Sequence, residues 1–375
     1  MYAFLGHKTA VSALRLLSSE RGMPQLTDRW PACARPLPSP EHCIRTQRQF
    51  RAAVPSLGLH LIGASSSPVD LLVPSNISCS RGRSARFHIW SGSVPAQSMF
   101  RLGESLLLSG PELAILQLCG SQAKLEPLID ANVQAYRSEK ELMDELGIAG
   151  KPAIDDPLRW EQIARLVRAV ELACEFAGTY RLPSQDDSDA AYRIRPLMSC
   201  GSLADMARSR NLSVMESRAL RVADIAFDNS GSPMETSLAL MLTLPVEWGG
   251  FGLPHPKLNR TLDTSPVRGM LSDRCEVTPD LSWEGGKLAL EYDSAEKHGH
   301  AGAQQLAEDA LRGNILTALG YRVLRVTPGA VSTIPKMELL ARQIASLLGV
   351  DLAIPNELQV LRRSKLFLEL WPQRG

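Results

Sequence analysis

The sequence has almost no excess of charge of either sign. It contains 41 Lys and Arg residues against 40 Asp and Glu residues, so its formal net charge is +1. A nucleic-acid-binding domain is often strongly basic overall. Net charge therefore gives no argument for nucleic-acid binding here, and any such surface would have to be a local basic patch.

Cysteine is scarce and scattered. The seven cysteines form no CxxC pair, and their number is odd. Close, even-numbered cysteines are typical of disulfide scaffolds, and CxxC pairs are typical of structural zinc sites. Both classes are disfavoured, and a reducing compartment is favoured. We predict a cytoplasmic protein.

Long apolar runs and several well-known catalytic motifs are also missing. No stretch of about 18 uncharged apolar residues could span a bilayer. The N-terminus lacks a basic segment followed by an apolar run, so we expect no signal peptide and no membrane partner. The sequence also lacks a P-loop, a GxSxG nucleophile motif and a dinucleotide fingerprint, which counts against the enzyme classes that depend on them.

What is present indicates an α/β protein with several segments. The N-terminal part is rich in Pro, Ser and Arg and carries short β-like runs at 57–63, 69–73 and 85–90. The middle of the chain has apolar residues at helical spacing. The predicted segments are a small α+β domain at 1–120, a helical connecting region at 121–230, an endonuclease-like domain at 231–350 and a C-terminal tail at 351–375.

The third segment has the clearest pattern. A helix begins at Pro233, after the candidate N-cap Ser232. Two strands are joined by a tight turn at Gly285-Gly286, which predicts an antiparallel hairpin. The predicted elements are a helix at 233–244, a possible strand at 257–262, strands at 276–283 and 287–293, a helix at 303–319, a strand at 321–327 and a helix at 335–348.

Three acidic residues lie on the predicted hairpin. Glu291 and Asp293 are two residues apart on one strand, so their side chains point to the same face. Hairpin pairing can bring Asp280 beside them. Three adjacent carboxylates repel one another unless a cation lies between them, and hard oxygen ligands favour Mg²⁺ or Mn²⁺. Such a metal could activate water and stabilise charge on a phosphodiester.

This layout resembles the PD-(D/E)XK nuclease superfamily, and its order of motifs is closest to the very-short-patch-repair endonucleases. Thr278-Pro279-Asp280 matches the first acidic motif, and Glu291-Tyr292-Asp293 matches an E-x-D motif that replaces the usual lysine. Histidines follow it within a few residues, here His298 and His300. Ser294 stands where the family often has glycine.

Other motifs of that branch occur in the same order. They are a glutamate on the preceding helix, an aspartate and an arginine on the following helix, and a V-L-R strand: here Glu235, Asp309, Arg312 and Val323-Leu324-Arg325. The resemblance implies a restriction-endonuclease-like fold, a mixed central sheet flanked by helices. It implies that Asp280, Glu291 and Asp293 surround a metal, Glu235 orients a ligand or a water, and His298 or His300 acts as general base or acid. Arg312 and Arg325 would contact phosphate.

The N-terminal region resembles the AbiEi-type antitoxins of type IV toxin–antitoxin systems. The resemblance rests on Gly6-His7-Lys8-Thr9-Ala10, on Val69 to Val73, on the strand that contains His88, and on Ser109-Gly110-Pro111-Glu112. It implies DNA and a cognate toxin as partners. The usual winged-helix start of that family is not evident.

Each singled-out residue also has a simpler interpretation. Glu235 can be a helix-capping residue, since Ser232 stands three positions before it. Asp280 can be a turn residue, and Glu291 and Asp293 can be the solvent face of a hairpin. Asp309 and Arg312 can pair across a helix surface. The histidines can be ordinary ones, structural at His7 and His88 and loop residues at His298 and His300.

The leading hypothesis is a metal-dependent DNA endonuclease-like protein with Mg²⁺ or Mn²⁺ as cofactor, linked to a toxin–antitoxin or phage-defence system. The alternative is a regulator that binds DNA or protein and whose nuclease fold has lost catalysis. Cleavage of DNA in the presence of Mg²⁺ separates the two.

Overall fold

The computed structural model describes residues 1–18, 29–30, 35–57, 59, 68–74, 83–120, 139–148, 159–183, 190–211, 213–267, 269, 275–293 and 303–371. They form a mixed α/β structure, which confirms the predicted class. None of the helices in these ranges is long and apolar enough to cross a membrane.

The chain divides into two compact units. The first contains Met1–Leu125 and Ala169–Ala226, and the second contains Glu126–Arg168 and Phe227–Gly375. The region predicted as a helical connection at 121–230 is thus shared between the two units. The expected tail at 351–375 contains a helix, Glu357–Leu370, whose Leu361, Phe367 and Leu370 are buried. Burial of these apolar side chains makes the segment part of the second unit's core.

The first unit is built on a six-stranded sheet. Its strand order is β2-β7-β8-β1-β4-β5, in which β1 runs parallel to β8, β4 runs parallel to β5, and β1 is antiparallel to β4. The strands of this unit are β1 (Ala3–Leu5), β2 (Arg29–Trp30), β3 (Arg35–Pro36), β4 (Val69–Pro74), β5 (Ala85–Trp90), β6 (Ser93–Val94), β7 (Met99–Arg101), β8 (Leu106–Ser109), β9 (Tyr180–Arg181) and β10 (Ala191–Tyr192). The predicted strands at 69–73 and 85–90 are confirmed as β4 and β5, whereas most of the run at 57–63 lies outside the described residues.

Helices pack on this sheet and against one another. They are α1 (His7–Ser18), α2 (Gln47–Ala53), α3 (Pro111–Gly120), α6 (Cys200–Arg208) and α7 (Val214–Ile225). Helix α3 begins at Pro111, where the missing N–H leaves no hydrogen bond unmade. Helix α7 begins with a capping box formed by Ser213 and Glu216. Helix α5 (Trp160–Ala177) includes residues of both units.

The second unit contains a four-stranded sheet of order β11-β14-β15-β16. The strands of the second unit are β11 (Lys257–Leu258), β12 (Leu262–Asp263), β13 (Glu276–Val277), β14 (Leu281–Trp283), β15 (Leu288–Tyr292) and β16 (Arg322–Val326). Strands β12 and β13 form a separate two-stranded sheet. Its helices are α4 (Glu139–Glu145), α8 (Pro233–Thr243), α9 (Ala303–Ala318), α10 (Ile334–Leu348) and α11 (Glu357–Leu370). The predicted helices at 233–244, 303–319 and 335–348 and the predicted strands at 287–293 and 321–327 are present, with α10 ended by Gly349 in the left-handed region.

Apolar packing in this unit fixes the hairpin against a helix. Ala289 of β15, Val277 of β13, and Ile315 and Leu316 of α9 belong to one buried cluster. Helix α8 is buried along its whole length, as expected for a helix that is apolar on all sides. The carboxylates on this hairpin and at the start of α8 are therefore held by rigid elements.

The hairpin pairing is antiparallel as predicted, with Leu281 opposite Leu290. Strand β16 then runs parallel to β15. The expectation of one continuous strand at 276–283 is wrong, because β13 pairs with β12 and only β14 joins the hairpin. The interruption contains Pro279, which has no N–H to donate to a sheet. The expected strand at 257–262 is likewise two short strands, β11 and β12.

Candidate active site

Asp280 lies at the open end of the hairpin, immediately before β14. The register that pairs Leu281 with Leu290 puts Asp280 across from Glu291. The backbone N–H of Tyr292 donates to Asp280 Oδ2 at 2.6 Å, and the Asp280 carbonyl accepts from the backbone N–H of Asn259 at 2.9 Å. These contacts hold the Asp280 carboxylate beside the end of β15, so its role goes beyond that of a turn residue.

Glu291 lies on β15, which has strands on both sides and is buried along its length. The interpretation of Glu291 as part of a solvent-facing side is therefore wrong, since only 4% of its side chain is exposed. Its Oε2 is ion-paired with Arg312 of α9, whereas Oε1 is buried and has no hydrogen-bond partner among the described residues. Burial and the nearby Asp280 charge raise the pKa of Glu291 to about 8, against the opposite effects of Arg312 and Arg325.

Glu235 is in the first turn of α8 and is also buried. Its carboxylate accepts from the backbone N–H of Gly231 at 2.9 Å, the Ser232 hydroxyl at 3.0 Å and the Asn259 amide at 2.6 Å. Burial and the charge of Asp280 nevertheless raise its pKa. The capping and site interpretations are therefore both supported, because one carboxylate satisfies the helix start and lies close enough to Asp280 to be affected by its charge.

Asn259 links the two acidic elements and was missed by the sequence analysis. Its side-chain amide donates to Glu235, and also to the Asn229 carbonyl at 3.0 Å. Its backbone N–H donates to the Asp280 carbonyl. Asn259 has φ +44°, in the left-handed region that asparagine tolerates better than most residues. An asparagine between two short apolar segments was the available signal, but its partners are distant in sequence.

The remaining predicted residues have different surroundings. Asp293 is half-buried just after β15, and its charge adds to the raised pKa of Glu291. Arg325 is opposite Glu291 in the β15–β16 register, and its Nη2 donates to the Asp309 carbonyl of α9 at 2.7 Å. Arg312 contacts Glu291 across the site, which goes beyond the pairing along a helix surface considered for it. His298 and His300 lie outside the described residues.

The residues present fit a divalent cation only through two carboxylates. Within the described ranges, no group of three or more His, Cys, Asp or Glu side chains could hold a metal ion. The expected three-carboxylate site of Asp280, Glu291 and Asp293 is therefore not formed. Mg²⁺, however, is commonly held by one or two carboxylates together with water or phosphate oxygens. Glu291 matches that chemistry, because its Oε1 is buried without a hydrogen-bond partner among the described residues and Asp280 is near enough for its charge to raise the pKa of Glu291.

A second buried polar cluster lies in the first unit. Asp70 of β4 accepts from His88 Nε2 at 2.8 Å and from the backbone N–H and hydroxyl of Thr9, each at 3.3 Å. The rings of His7 and His88 stack with their centroids 3.7 Å apart. Burial first, and then the charge of His88, lower the pKa of His7 to about 3. This arrangement favours the structural interpretation of His88, which holds Asp70, whereas His7 packs on the His88 ring and its Nδ1 is buried without a hydrogen-bond partner among the described residues.

No protein-family model matches the chain, and no curated protein or solved structure matches it significantly.

Proposed function

We propose that the second unit is a divalent-metal-dependent phosphodiester hydrolase of the PD-(D/E)XK type that acts on DNA. The observation that carries this proposal is the pairing of Asp280 with Glu291 at the open end of an antiparallel hairpin. Glu291 is buried, one of its oxygens lacks a hydrogen-bond partner among the described residues, and the partly buried Asp280 lies near it; two such carboxylates are costly unless a cation joins them.

Asp280 and Glu291 are the residues that would hold Mg²⁺ or Mn²⁺. When bound there, such an ion supplies an activated water and neutralises charge that develops on the phosphoryl oxygens. The chain contributes preorganisation: the Tyr292 N–H fixes Asp280, and strand pairing fixes Glu291. Little reorganisation is then needed when substrate arrives.

Glu235 and Asn259 are proposed to orient a water near the scissile phosphate. Burial and the charge of Asp280 raise the pKa of Glu235, which favours a carboxyl group that keeps its proton to a higher pH than a free glutamate does. The Asn259 amide and the Gly231 N–H hold one oxygen of that carboxyl group and the Ser232 hydroxyl holds the other, so the group is fixed near enough to Asp280 to be affected by its charge. From the family resemblance, His298 or His300 is the proposed general base or acid, Asp293 stands near the metal, and Arg312 and Arg325 neutralise phosphate charge.

The proposed partners follow from the same resemblances. DNA is the substrate, and a cognate toxin is the proposed protein partner of the N-terminal region. A role in a toxin–antitoxin or phage-defence system would then follow.

The test is cleavage of supercoiled, linear and mismatched DNA by the purified full chain with Mg²⁺, Mn²⁺ or EDTA. We expect metal-dependent cleavage by the parent protein and none by Asp280→Asn. Glu284→Gln is the matched control, since it removes a carboxylate from the turn of the same hairpin, where Glu284 makes only an exposed ion pair with Arg260. It should cleave like the parent.

Two outcomes would contradict the proposal. Asp280→Asn protein that cleaves as fast as the parent would mean that the cleavage arises elsewhere. Parent protein that binds DNA with a steep salt dependence but cleaves nothing would favour the regulator, because phosphate contacts alone produce such binding.

A further inference from the structure

We propose that Arg312 is the resident counter-cation of Glu291, and that a DNA phosphate draws Arg312 away and thereby opens the carboxylate pair to the divalent metal. This inference rests on the proposed function and adds a coupling to it: DNA and metal should bind cooperatively. The coupling arises because Arg312 leaves Glu291 when it binds the DNA phosphate, and the metal binds the carboxylate that Arg312 has left.

The ion pair between Arg312 and Glu291 is asymmetric. The Glu291 side chain is 4% exposed, whereas the Arg312 side chain is 33% exposed. Glu291 is fixed in the middle of the sheet, but Arg312 reaches it from the surface helix α9. The guanidinium can therefore exchange a buried carboxylate for an anion in solvent by rotating its side chain, while β15 stays in place.

Arg312 and a metal compete for the same carboxylate. A guanidinium on Glu291 Oε2 places positive charge close to a divalent ion that would bind Oε1 of the same carboxylate, and like charges repel. Removing the guanidinium without a replacement would leave a buried carboxylate unpaired, which is strongly unfavourable. Metal binding alone must therefore displace Arg312 into water, whereas a phosphate offers Arg312 a bidentate partner.

Arg325 holds α9 in the position from which Arg312 acts. Its Nη2 donates to the carbonyl of Asp309, which is three residues before Arg312 on α9. A Cβ at position 313 would be 3.0 Å from the same Nη2, so Gly313 lets the helix approach β16 closely. With α9 attached in this way, the exchange of partners is confined to the Arg312 side chain. Arg325 is thus a positioning residue.

The inference is tested by measuring Mn²⁺ affinity, with and without DNA, for the full-length parent, Arg312→Gln and Arg322→Gln. Electron paramagnetic resonance of free Mn²⁺ gives the affinity, and a short duplex with hydrolysis-resistant phosphorothioate linkages serves as DNA, with duplex alone as blank. Arg322→Gln is the charge-matched control. Arg322 lies at the other end of β16, where it bonds the carbonyls of Gly286 and Leu347.

In the parent and in Arg322→Gln, DNA should strengthen Mn²⁺ binding by about 10-fold, within the usual range of coupling between sites. Arg312→Gln should bind Mn²⁺ about 10-fold more tightly than the parent without DNA, because no cation has to leave. DNA should then add less than about 3-fold. Arg312→Lys keeps the charge, so its affinity without DNA should stay within about 3-fold of the parent.

The failures of the two proposals can be told apart. If the parent binds Mn²⁺ and Arg312→Gln, folded by circular dichroism, binds it no more tightly, the counter-cation role is overturned and the metal site stands. An Arg312→Lys protein that binds as tightly as Arg312→Gln would also overturn it. If neither the parent nor Arg312→Gln binds Mn²⁺, with or without DNA, both proposals fail.

Discussion

Asp70 in the first unit and Glu291 in the second are both buried carboxylates on strands, with an arginine beside each. Asp70 receives hydrogen bonds at both oxygens, and Arg86 lies 3.7 Å away. Burial acts to raise the pKa of Asp70, but the hydrogen bond and charge of His88, together with Arg86 and His7, hold it below its usual value. Glu291 has one unpartnered oxygen and a pKa raised to about 8.

The difference matches the roles proposed for the two carboxylates, structural for Asp70 and metal-binding for Glu291. A buried charge with all its hydrogen bonds made contributes to stability, whereas one left partly unsatisfied reduces it. Carboxyl groups with strongly perturbed pKa values are enriched at functional sites, so Glu291 is the functional candidate of the two. The two clusters therefore respond differently to the same kind of substitution.

The largest expected difference is in activity. Glu291→Gln should lower the rate of metal-dependent cleavage by at least about 1,000-fold, since it removes about 4 kcal/mol of transition-state stabilisation by the metal. Asp70→Asn, assayed well below its unfolding temperature, should stay within about 3-fold of the parent. Initial rates on supercoiled plasmid measure both, and a large rate loss in folded Asp70→Asn would contradict the comparison.

The two substitutions should affect the free energy of unfolding in the opposite order. Asp70→Asn replaces an oxygen that accepts hydrogen bonds with an amide NH2 group that cannot accept them. It should lower the free energy of unfolding by about 2–3 kcal/mol. Glu291→Gln should change it by less than about 1 kcal/mol, because the loss of the Arg312 pair is offset by relief of repulsion with Asp280. Urea denaturation followed by circular dichroism compares the two variants. Equal destabilisation would mean that Glu291 is also a structural residue.

The pH dependence of stability should differ in sign. Glu291 has a folded-state pKa of about 8 against an ordinary value of 4.5, so the folded state holds its proton more strongly than the unfolded chain does. Its contribution is fully present below about pH 4.5 and is lost as the pH rises through 8. The folded pKa of Asp70 is lowered instead, so its contribution is present above 3.8 and is lost as the pH falls through that lowered pKa.

Thermal melts of the parent and Glu291→Gln at pH 5, 7 and 9 measure this contribution. The parent should lose stability relative to the variant between pH 5 and 9, and added Mg²⁺ should reverse that loss in the parent alone. Parallel curves for the two proteins over this range would show that the Glu291 carboxyl is not perturbed in the way described.

The smallest expected effect concerns Asn259. Asn259→Gly and Asn259→Ala both remove the amide that holds Glu235, and both should lower the cleavage rate by about 10-fold. Alanine must also adopt φ +44°, so Asn259→Ala should be about 1 kcal/mol less stable than Asn259→Gly. Urea denaturation measures the difference, and identical stabilities would mean that the backbone relaxes at this position.

Local patterns predicted much of the second unit. Alternating apolar residues and the Gly285-Gly286 turn predicted the hairpin, and β14 and β15 pair as expected. The predicted helix that ends before Gly320 and the predicted strand after it are also present in the structure. The interruption around Pro279 was missed. Apolar and polar residues alternate through Thr278, and this pattern was given more weight than the missing N–H of the proline.

The sequence by itself determined that acids stand at both sides of a hairpin turn and at the start of a helix. Hydrophobic periodicity and turn residues involve only positions close in the sequence, so they can be recognised without knowledge of the fold. Only the tertiary structure decided that Asn259 joins Glu235 to the Asp280 backbone, that Arg312 faces Glu291, and that one Glu291 oxygen is left unpartnered. These contacts depend on the approach of elements that are distant in the sequence, and an oxygen is left without a partner only once burial has excluded water from around it.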